Sequence, residues 1–320
     1  MLARPPQLSR ALTYYALAAL FTIGIVYHFV SLQDSFIARV PGLPGHAQQQ
    51  EEEQQQAAEI PKLIWYKLGP NGLSDDARAW TDTCIKNNTG YKAHFLTDED
   101  SDAYVRKTFA FRQDIVDTYL ALPIPIFKAD LLRYLLLWDQ GGIWSDLDVS
   151  CKDTPIDEWV PASYKSSAAI VVGWEFDQGW PGKYVRQFAS WTIMSKPRSP
   201  HMMQVVDDIL ETVRVETMEH GVGVQNVTLE MMGDVVDFTG PRRLTRSVFK
   251  SLEKQMNRTL DVSEFHEIFQ PRLVGDVLIM PGQSFAASSN TYTAEQQKEL
   301  PPQLVEHHYA GSWKNDKGGE

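Results

Sequence analysis

The sequence predicts an α/β layered domain with a largely parallel sheet, set behind an apolar N-terminal span and a polar stem. Three observations predict it. Short apolar runs bounded by turn residues alternate with longer stretches of helical period, the pattern of strands crossing over through helices. Gly45–Glu59, GHAQQQEEEQQQAAE, has no apolar periodicity, and at Ile60 the texture changes to IPKLIWY. Ala11–Val30 contains no Asp, Glu, Lys or Arg over twenty residues.

The elements follow in chain order. Residues 1–10 form a short tail carrying Arg4 and Arg10. Residues 11–30 span about 30 Å as a helix, the thickness of a bilayer core. Basic residues precede the span and Asp34 follows it, so the N-terminus is expected in the cytosol and the remainder in the lumen. A cleaved signal peptide is the alternative; the length of the run and the lack of a small-x-small site favour a type II signal anchor. Residues 31–59 read as a stem too polar to bury a core. Residues 60–320 read as the lumenal folded domain. Within it Lys62–Tyr66, Lys92–Leu96, Ile143–Val149, Ala168–Gly173 and Val277–Met280 are predicted strands. Ser74–Asn87, Asp98–Phe109, Ile126–Gln140, Pro200–Thr217 and Arg242–Asn257 are predicted helices. In such sheets ligands bind beyond the carboxyl ends of the strands.

Composition excludes several classes. The 320 residues include 41 acids against 30 bases, a net charge of −11. The anchor and stem segments carry +2 and −4, which leaves −9 on residues 60–320. An acidic chain is a poor partner for nucleic acid, whose phosphates demand a surplus of Lys and Arg. A single phosphate-bearing small molecule remains open, because a bound metal can carry its charge. Two cysteines are too few for a disulfide scaffold or a thiolate zinc site. Three N-x-[ST] sequons, at Asn87, Asn226 and Asn257, agree with a secretory-pathway domain and are expected glycosylation sites. In that oxidising compartment Cys84 and Cys151 either pair or stay buried as thiols; their place in the same half of the domain favours pairing.

Stock motifs are absent or incomplete. There is no G-x-x-x-x-G-K-[ST], Gly221-Val222-Gly223 lacks a third dinucleotide-loop glycine, and Ser284 is not in a nucleophile elbow. Asp98-x-Asp100-x-Asp102 begins like a calcium loop but has Ala103 where the turn glycine belongs and Phe109 where the bidentate Glu belongs.

The chemistry lies in Phe127–Val149, FKADLLRYLLLWDQGGIWSDLDV. Pro123 and Pro125 favour an extended lead-in. Leu131, Leu132, Leu135 and Leu136 make one helical face, and Asp130 and Arg133, three apart, share another. Gly141-Gly142 ends the helix. A helix climbs about 15 Å from Asp130 to Gln140, and a strand returns about 13 Å from Ile143 to Leu147. If the glycines reverse the chain, Asp146 and Asp148 return level with Asp130 and Arg133. Asp146 and Asp148, two apart on a strand, would point to one side. Paired acids ending an apolar strand repel unless compensated, and a divalent cation is the simplest compensation. Their oxygens suit Mg²⁺ or Mn²⁺, which commonly bridge nucleotide phosphates. Two acids with one residue between them are too close to straddle a glycosidic bond as a hydrolase pair does.

The run KADLLRYLLLWDQGGIWSDLDV resembles the D-x-D region of glycosyltransferase family 32, most of all the initiation-specific α-1,6-mannosyltransferases of the fungal Golgi. The resemblance extends from Ile60 to about Asp316. It includes IPKLIW at Ile60–Trp65, GWE at Gly173–Glu175, TGP at Thr239–Pro241, VLIMP from Val277 and HHYAGSWK at His307–Lys314. It implies a GT-A fold, a Rossmann-like nucleotide-sugar-binding domain, with Mn²⁺ (or Mg²⁺) held on the donor diphosphate by Asp146, Asp148 and His308. It further implies that Asp130 and Arg133 contact the donor sugar and its phosphate side, with Lys314 facing the diphosphate. Trp65 packs near the base and Trp313 joins the donor site in the same reading. Glu175 becomes a contact or base for the acceptor, and Asp130, Arg133, Lys314 and Glu175 form the catalytic set. The expected reaction is retaining transfer of mannose from GDP-mannose to a glycoprotein N-glycan in α-1,6 linkage. The expected setting is a single-pass type II Golgi membrane protein, with membership of a Golgi transferase complex as a further expectation. Alternatives are a UDP-galactose or UDP-N-acetylglucosamine donor, a sphingolipid acceptor as for inositol phosphorylceramide mannosyltransferases, and a non-catalytic glycan-binding protein on the same fold. Two departures, Arg242 where close relatives have glycine after T-G-P and Pro197-Arg198-Ser199-Pro200-His201 in place of G-H-P, are expected to border the acceptor side.

Overall fold

The computed structural model describes residues 59–180 and 186–310. The expected tail and anchor, the stem up to residue 58, Trp313 and Lys314 lie outside the described residues. Among the described residues no helix is long and apolar enough to cross a membrane.

The chain runs β1 (Leu63–Lys67), α1 (Asp75–Lys86), β2 (Lys92–Leu96), α2 (Asp98–Thr108), α3 (Gln113–Ala121), α4 (Pro125–Asp139), β3 (Gly142–Ser145) and β4 (Val149–Cys151). It continues with β5 (Ile170–Gly173), β6 (Thr192–Ser195), α5 (Pro200–His220), α6 (Pro241–Met256), β7 (Arg272–Val274), β8 (Val277–Met280) and β9 (Val305–His307). Side chains fix several ends. Ser74 caps α1 through the Ala77 N–H, and Thr97 with Asp100 forms a capping box on α2. Prolines open α4, α5 and α6, where a missing N–H costs nothing.

Seven strands form one sheet in the order β2-β1-β3-β6-β5-β8-β7. Following the pairings, β1, β2, β3, β5 and β8 point one way, and β6 and β7 run against them. The sheet is therefore mixed but mostly parallel. β4 and β9 form a separate antiparallel ribbon with Val149 opposite His307. Strand alternation divides the core into two layers. Trp65, Trp144, Ile193 and Val172 face α4, α5 and α6, whereas Ile64, Tyr66, Ile143 and Val171 face the layer holding Cys84, Val149 and Trp191.

Two departures from the sequence reading bear on the site. The predicted strand Ile143–Val149 is two pieces. β3 stops at Ser145, and Asp146-Leu147-Asp148 is a turn closed by the Val149 N–H on the Asp146 carbonyl at 3.2 Å. Asp favours turns over strand interiors because its carboxylate competes for backbone donors. α4 is also not one-faced: Asp130 and Arg133 are buried along with its leucines, with Thr239, Ser190 and the Asp146 turn against the surface that carries them. The remaining predicted elements sit within a few residues of the observed ones; α3, β6, β7 and β9 were not anticipated.

The Gly141-Gly142 turn has a steric basis. Both residues have left-handed φ, 66° and 94°. A Cβ on Gly141 would lie 2.7 Å from the Pro197 nitrogen, and one on Gly142 would lie 2.8 Å from the Leu63 carbonyl oxygen. Only glycine lets α4 turn directly into the sheet.

Candidate active site

The site forms where β3 ends. Arg133 Nη2 lies 2.8 Å from Asp130 Oδ1 and 3.3 Å from Asp146 Oδ1, so one guanidinium joins helix α4 to the turn. Arg133 Nη1 donates to the Ser190 carbonyl at 2.6 Å. The Thr239 hydroxyl donates to Asp130 Oδ2 at 2.7 Å, and the Tyr134 hydroxyl holds the Thr239 carbonyl. T-G-P is thus more than a turn: its threonine occupies the second oxygen of Asp130. The Arg133 guanidinium also lies 5.0 Å from the Trp144 ring centre, and the Trp144 indole donates to Asp146 Oδ1 at 2.6 Å.

Asp148 is held from the other side, by the segment after β9. His307 Nε2 lies 3.3 Å from Asp148 Oδ1, the Ala310 N–H donates to Oδ2 at 3.0 Å, and the His308 N–H donates to the Asp148 carbonyl. The His307 ring stacks on Trp191 with centroids 4.2 Å apart and planes 8° apart. Asp146, Asp148 and His307 each offer a ligand atom, all within 4.8 Å of one another. Two carboxylate oxygens and an imidazole nitrogen suit a divalent cation such as Mn²⁺.

Electrostatics separate the acids. Burial pushes Asp130 above the usual carboxylate range, against the pull of Arg133 and Thr239. Burial likewise raises Asp146, opposed by Arg133 and reinforced by Asp148. Burial acts on Asp148 too, but the hydrogen bond and charge of His307 and the Ala310 N–H outweigh it and hold Asp148 low. Burial works against the Arg133 charge, and Asp146 and Asp130 overcome it. Glu175, just past β5, is buried and pushed up to about 7 by burial, against a hydrogen bond from Gln187 and the charges of His307 and Arg242. Asn290 fixes its backbone, donating to the Glu175 carbonyl and accepting from the Asp177 and Gln178 N–H groups.

Several expectations need correction. His308 is not in the cluster; His307 is. His308 Nε2 bonds Ser150 Oγ at 2.9 Å and its ring stacks on Trp80. Neighbours on a strand face opposite sides, so choosing the wrong histidine of the pair turns the ligand away from the acids. Trp65 is not a base platform: its indole is buried, donates to the Gly141 carbonyl at the opposite end of β3, and stacks on His94. Pro197–His201 also lies at that far end. His201 is buried against Asp276, which precedes β8, and Arg198 covers Trp138. Arg242 is paired with Asp234 and Asp237, and its charge reaches Glu175. Asp146 and Asp148 converge through a turn rather than through strand alternation.

Cys84 and Cys151 form a disulfide with Cα atoms 4.8 Å apart, tying α1 to β4 three residues after Asp148. Asn87, Asn226 and Asn257 are all exposed. Sequence reasoning missed Trp144, Trp191, Tyr309 and His307; the doubled histidine was the one visible signal for the last.

Residues 74–165 match the family described as a glycosyltransferase sugar-binding region containing a DXD motif. The chain is similar to the initiation-specific alpha-1,6-mannosyltransferase of Candida albicans, 30% identical over 286 residues, covering 80% of this chain and 73% of the relative. It is 32% identical over 269 residues to the Schizosaccharomyces pombe protein of the same description, covering 81% of this chain and 65% of the relative. A mannosyl phosphorylinositol ceramide synthase of Saccharomyces cerevisiae matches over 93 residues at 31% identity, covering 29% of this chain and 24% of the relative.

Proposed function

The chain belongs to the DXD-containing glycosyltransferase family of the fungal initiation-specific α-1,6-mannosyltransferases and is a glycosyltransferase; from that premise we propose that it transfers mannose from GDP-mannose to a glycoprotein N-glycan in α-1,6 linkage, with retention. The observation that carries this reading is the junction of two clusters, Asp130–Arg133–Thr239 and Asp146–Asp148–His307, through a single guanidinium. Mn²⁺ is the proposed metal, held by Asp146, Asp148 and His307. When bound it supplies positive charge for the donor diphosphate as the glycosyl bond breaks. Lys314, four residues past Ala310, is the proposed second cation on the diphosphate, and Trp313 the neighbouring donor contact.

The residues favour a front-face route. Both oxygens of Asp130 are held, by Arg133 and Thr239, so it is a poor nucleophile. Instead the C1–O bond to phosphate breaks while the acceptor oxygen bonds C1 on the same face, and the hydroxyl proton passes to the leaving phosphate. Arg133 orients the donor by fixing Asp146. Glu175 contacts the acceptor. The sheet serves as a GT-A nucleotide-sugar platform, and the proposed setting is the Golgi lumen behind a type II anchor. A sphingolipid acceptor is the second reading; the match to the mannosyl phosphorylinositol ceramide synthase covers 29% of this chain, against 80% for the initiation-specific alpha-1,6-mannosyltransferase.

The test uses full-length protein in mild detergent. Turnover of GDP-mannose, UDP-galactose and UDP-N-acetylglucosamine is measured with Mn²⁺ and with chelator, alongside Asp148→Asn, His307→Ala and His308→Ala. We expect GDP-mannose turnover that chelator abolishes. Asp148→Asn and His307→Ala should weaken Mn²⁺ binding at least tenfold, whereas His308→Ala retains it. Metal-independent turnover, or none with any donor, refutes the reading. Turnover of a UDP-sugar alone removes mannose.

A further inference from the structure

We infer that Tyr309 is the platform on which a hexose ring of the acceptor glycan stacks, an inference that rests on the glycosyl-transfer reading above. Tyr309 is one of four large apolar residues exposed among the described residues, 47% accessible as a residue. It is also tied to the D-x-D turn, because the next residue, Ala310, donates its N–H to Asp148. Its ring stands edge-on to His307 at 4.1 Å and to Trp191 at 5.8 Å. Its hydroxyl shares a hydrogen bond with Ser289.

The ring is held at both ends. Its backbone is left-handed, φ 50°, a conformation that costs a non-glycine residue free energy and clusters at functional sites. At its tip Ser289 fixes the hydroxyl, and Ser289 precedes Asn290, which pins the Glu175 loop. A rigid, exposed aromatic loses little entropy on binding and offers a broad apolar face. Pyranose rings present a C–H face of matching size and their hydroxyls to the rim.

The location favours the acceptor over the donor sugar. Asp130 and Arg133, on the donor side of the D-x-D turn, are 4% exposed at their side chains. Tyr309 lies on the side of the turn where His307 and Ala310 hold Asp148, and it opens to solvent. An acceptor that is one end of a larger glycan must leave the protein through such an open face.

The test uses the full-length chain with GDP-mannose, Mn²⁺ and varied α-mannobiose. Tyr309→Ala and Tyr309→Leu should raise the acceptor KM about tenfold, while the donor KM moves less than twofold. Tyr309→Phe, which keeps the ring, should stay within threefold for the acceptor. An unchanged acceptor KM in the Ala and Leu variants overturns the inference, as does a shift that falls on GDP-mannose. Saturation-transfer NMR with methyl α-mannoside runs in parallel without donor. Loss of the mannoside signal in the Ala and Leu variants supports the platform, and a retained signal overturns it. If the wild type turns over no donor, the glycosyl-transfer reading fails while the NMR arm still decides the role of Tyr309.

Discussion

Replacing Arg133 with methionine removes the one cation between Asp130 and Asp146 while keeping much of the side-chain volume. Asp130 is left buried with Thr239 as its remaining partner, and its side chain is 4% exposed. Asp146 is 28% exposed at its side chain and recovers some hydration, so Asp130 dominates the penalty. Breaking a buried ion pair from one side costs about 3–5 kcal/mol. At about 2–4 °C per kcal/mol for a domain of this size, the melting temperature should fall by roughly 6–20 °C. The loss depends on pH with a definite sign. Without Arg133, the Asp130 carboxyl, already raised by burial, rises further in the folded state. An acid with a raised folded pKa binds more protons folded than unfolded, so stability falls as pH rises between the two values. Arg133→Met should therefore be most destabilising at alkaline pH and least at acid pH. Circular-dichroism melts at pH 5 and pH 8 measure this, and Asp130→Asn/Arg133→Met should recover part of the loss at pH 8. A drop under 3 °C that is the same at both pH values would refute the reasoning, because it would rank the triad with exposed surface pairs.

Glu175→Gln tests the other buried acid. The wild-type carboxyl is raised from 4.5 to about 7, so its contribution to stability declines as pH rises across that window, by at most about 1.4 kcal/mol per unit. The glutamine variant should lack that decline, and urea melts at pH 4.5, 6 and 8 that run parallel for the two proteins would count against the assignment. Cys151→Ser opens a disulfide whose cysteines are 67 residues apart, and chain entropy puts the loss at about 4 kcal/mol. Because Cys151 anchors the β4–β9 ribbon that carries His307, weaker Mn²⁺ binding should accompany the lower melting temperature; calorimetric titration showing unchanged affinity would separate the ribbon from the site.

Much of the fold was legible because local rules and tertiary packing agreed. The Gly141-Gly142 stop, the leucine-rich helix before it and the strand after it follow from turn chemistry and periodicity, and their lengths place Asp146 level with Arg133. Three-residue spacing on a helix was enough to pair Asp130 with Arg133. The failures have a common cause. Short elements such as β6 and β9 carry too few residues to show a period, and they are strands because a neighbour supplies the ladder. His307 and His308 differ by nothing in composition; their roles were assigned by which one the β4 register turned toward Asp148.

By itself the sequence determined the α/β order, the acidic balance, the D-x-D with its helix and glycine turn, and the resemblance that these carry, because each depends on residues close together along the chain. Only the tertiary structure decided that Thr239, 109 residues from Asp130, occupies its second oxygen, that Trp65 is core while Trp144 holds Asp146, and that His307 and Tyr309 close the far side of the site. Those contacts bridge long loops, and hydrogen-bond direction and strand facing settle them at a resolution of one residue, which no local pattern specifies.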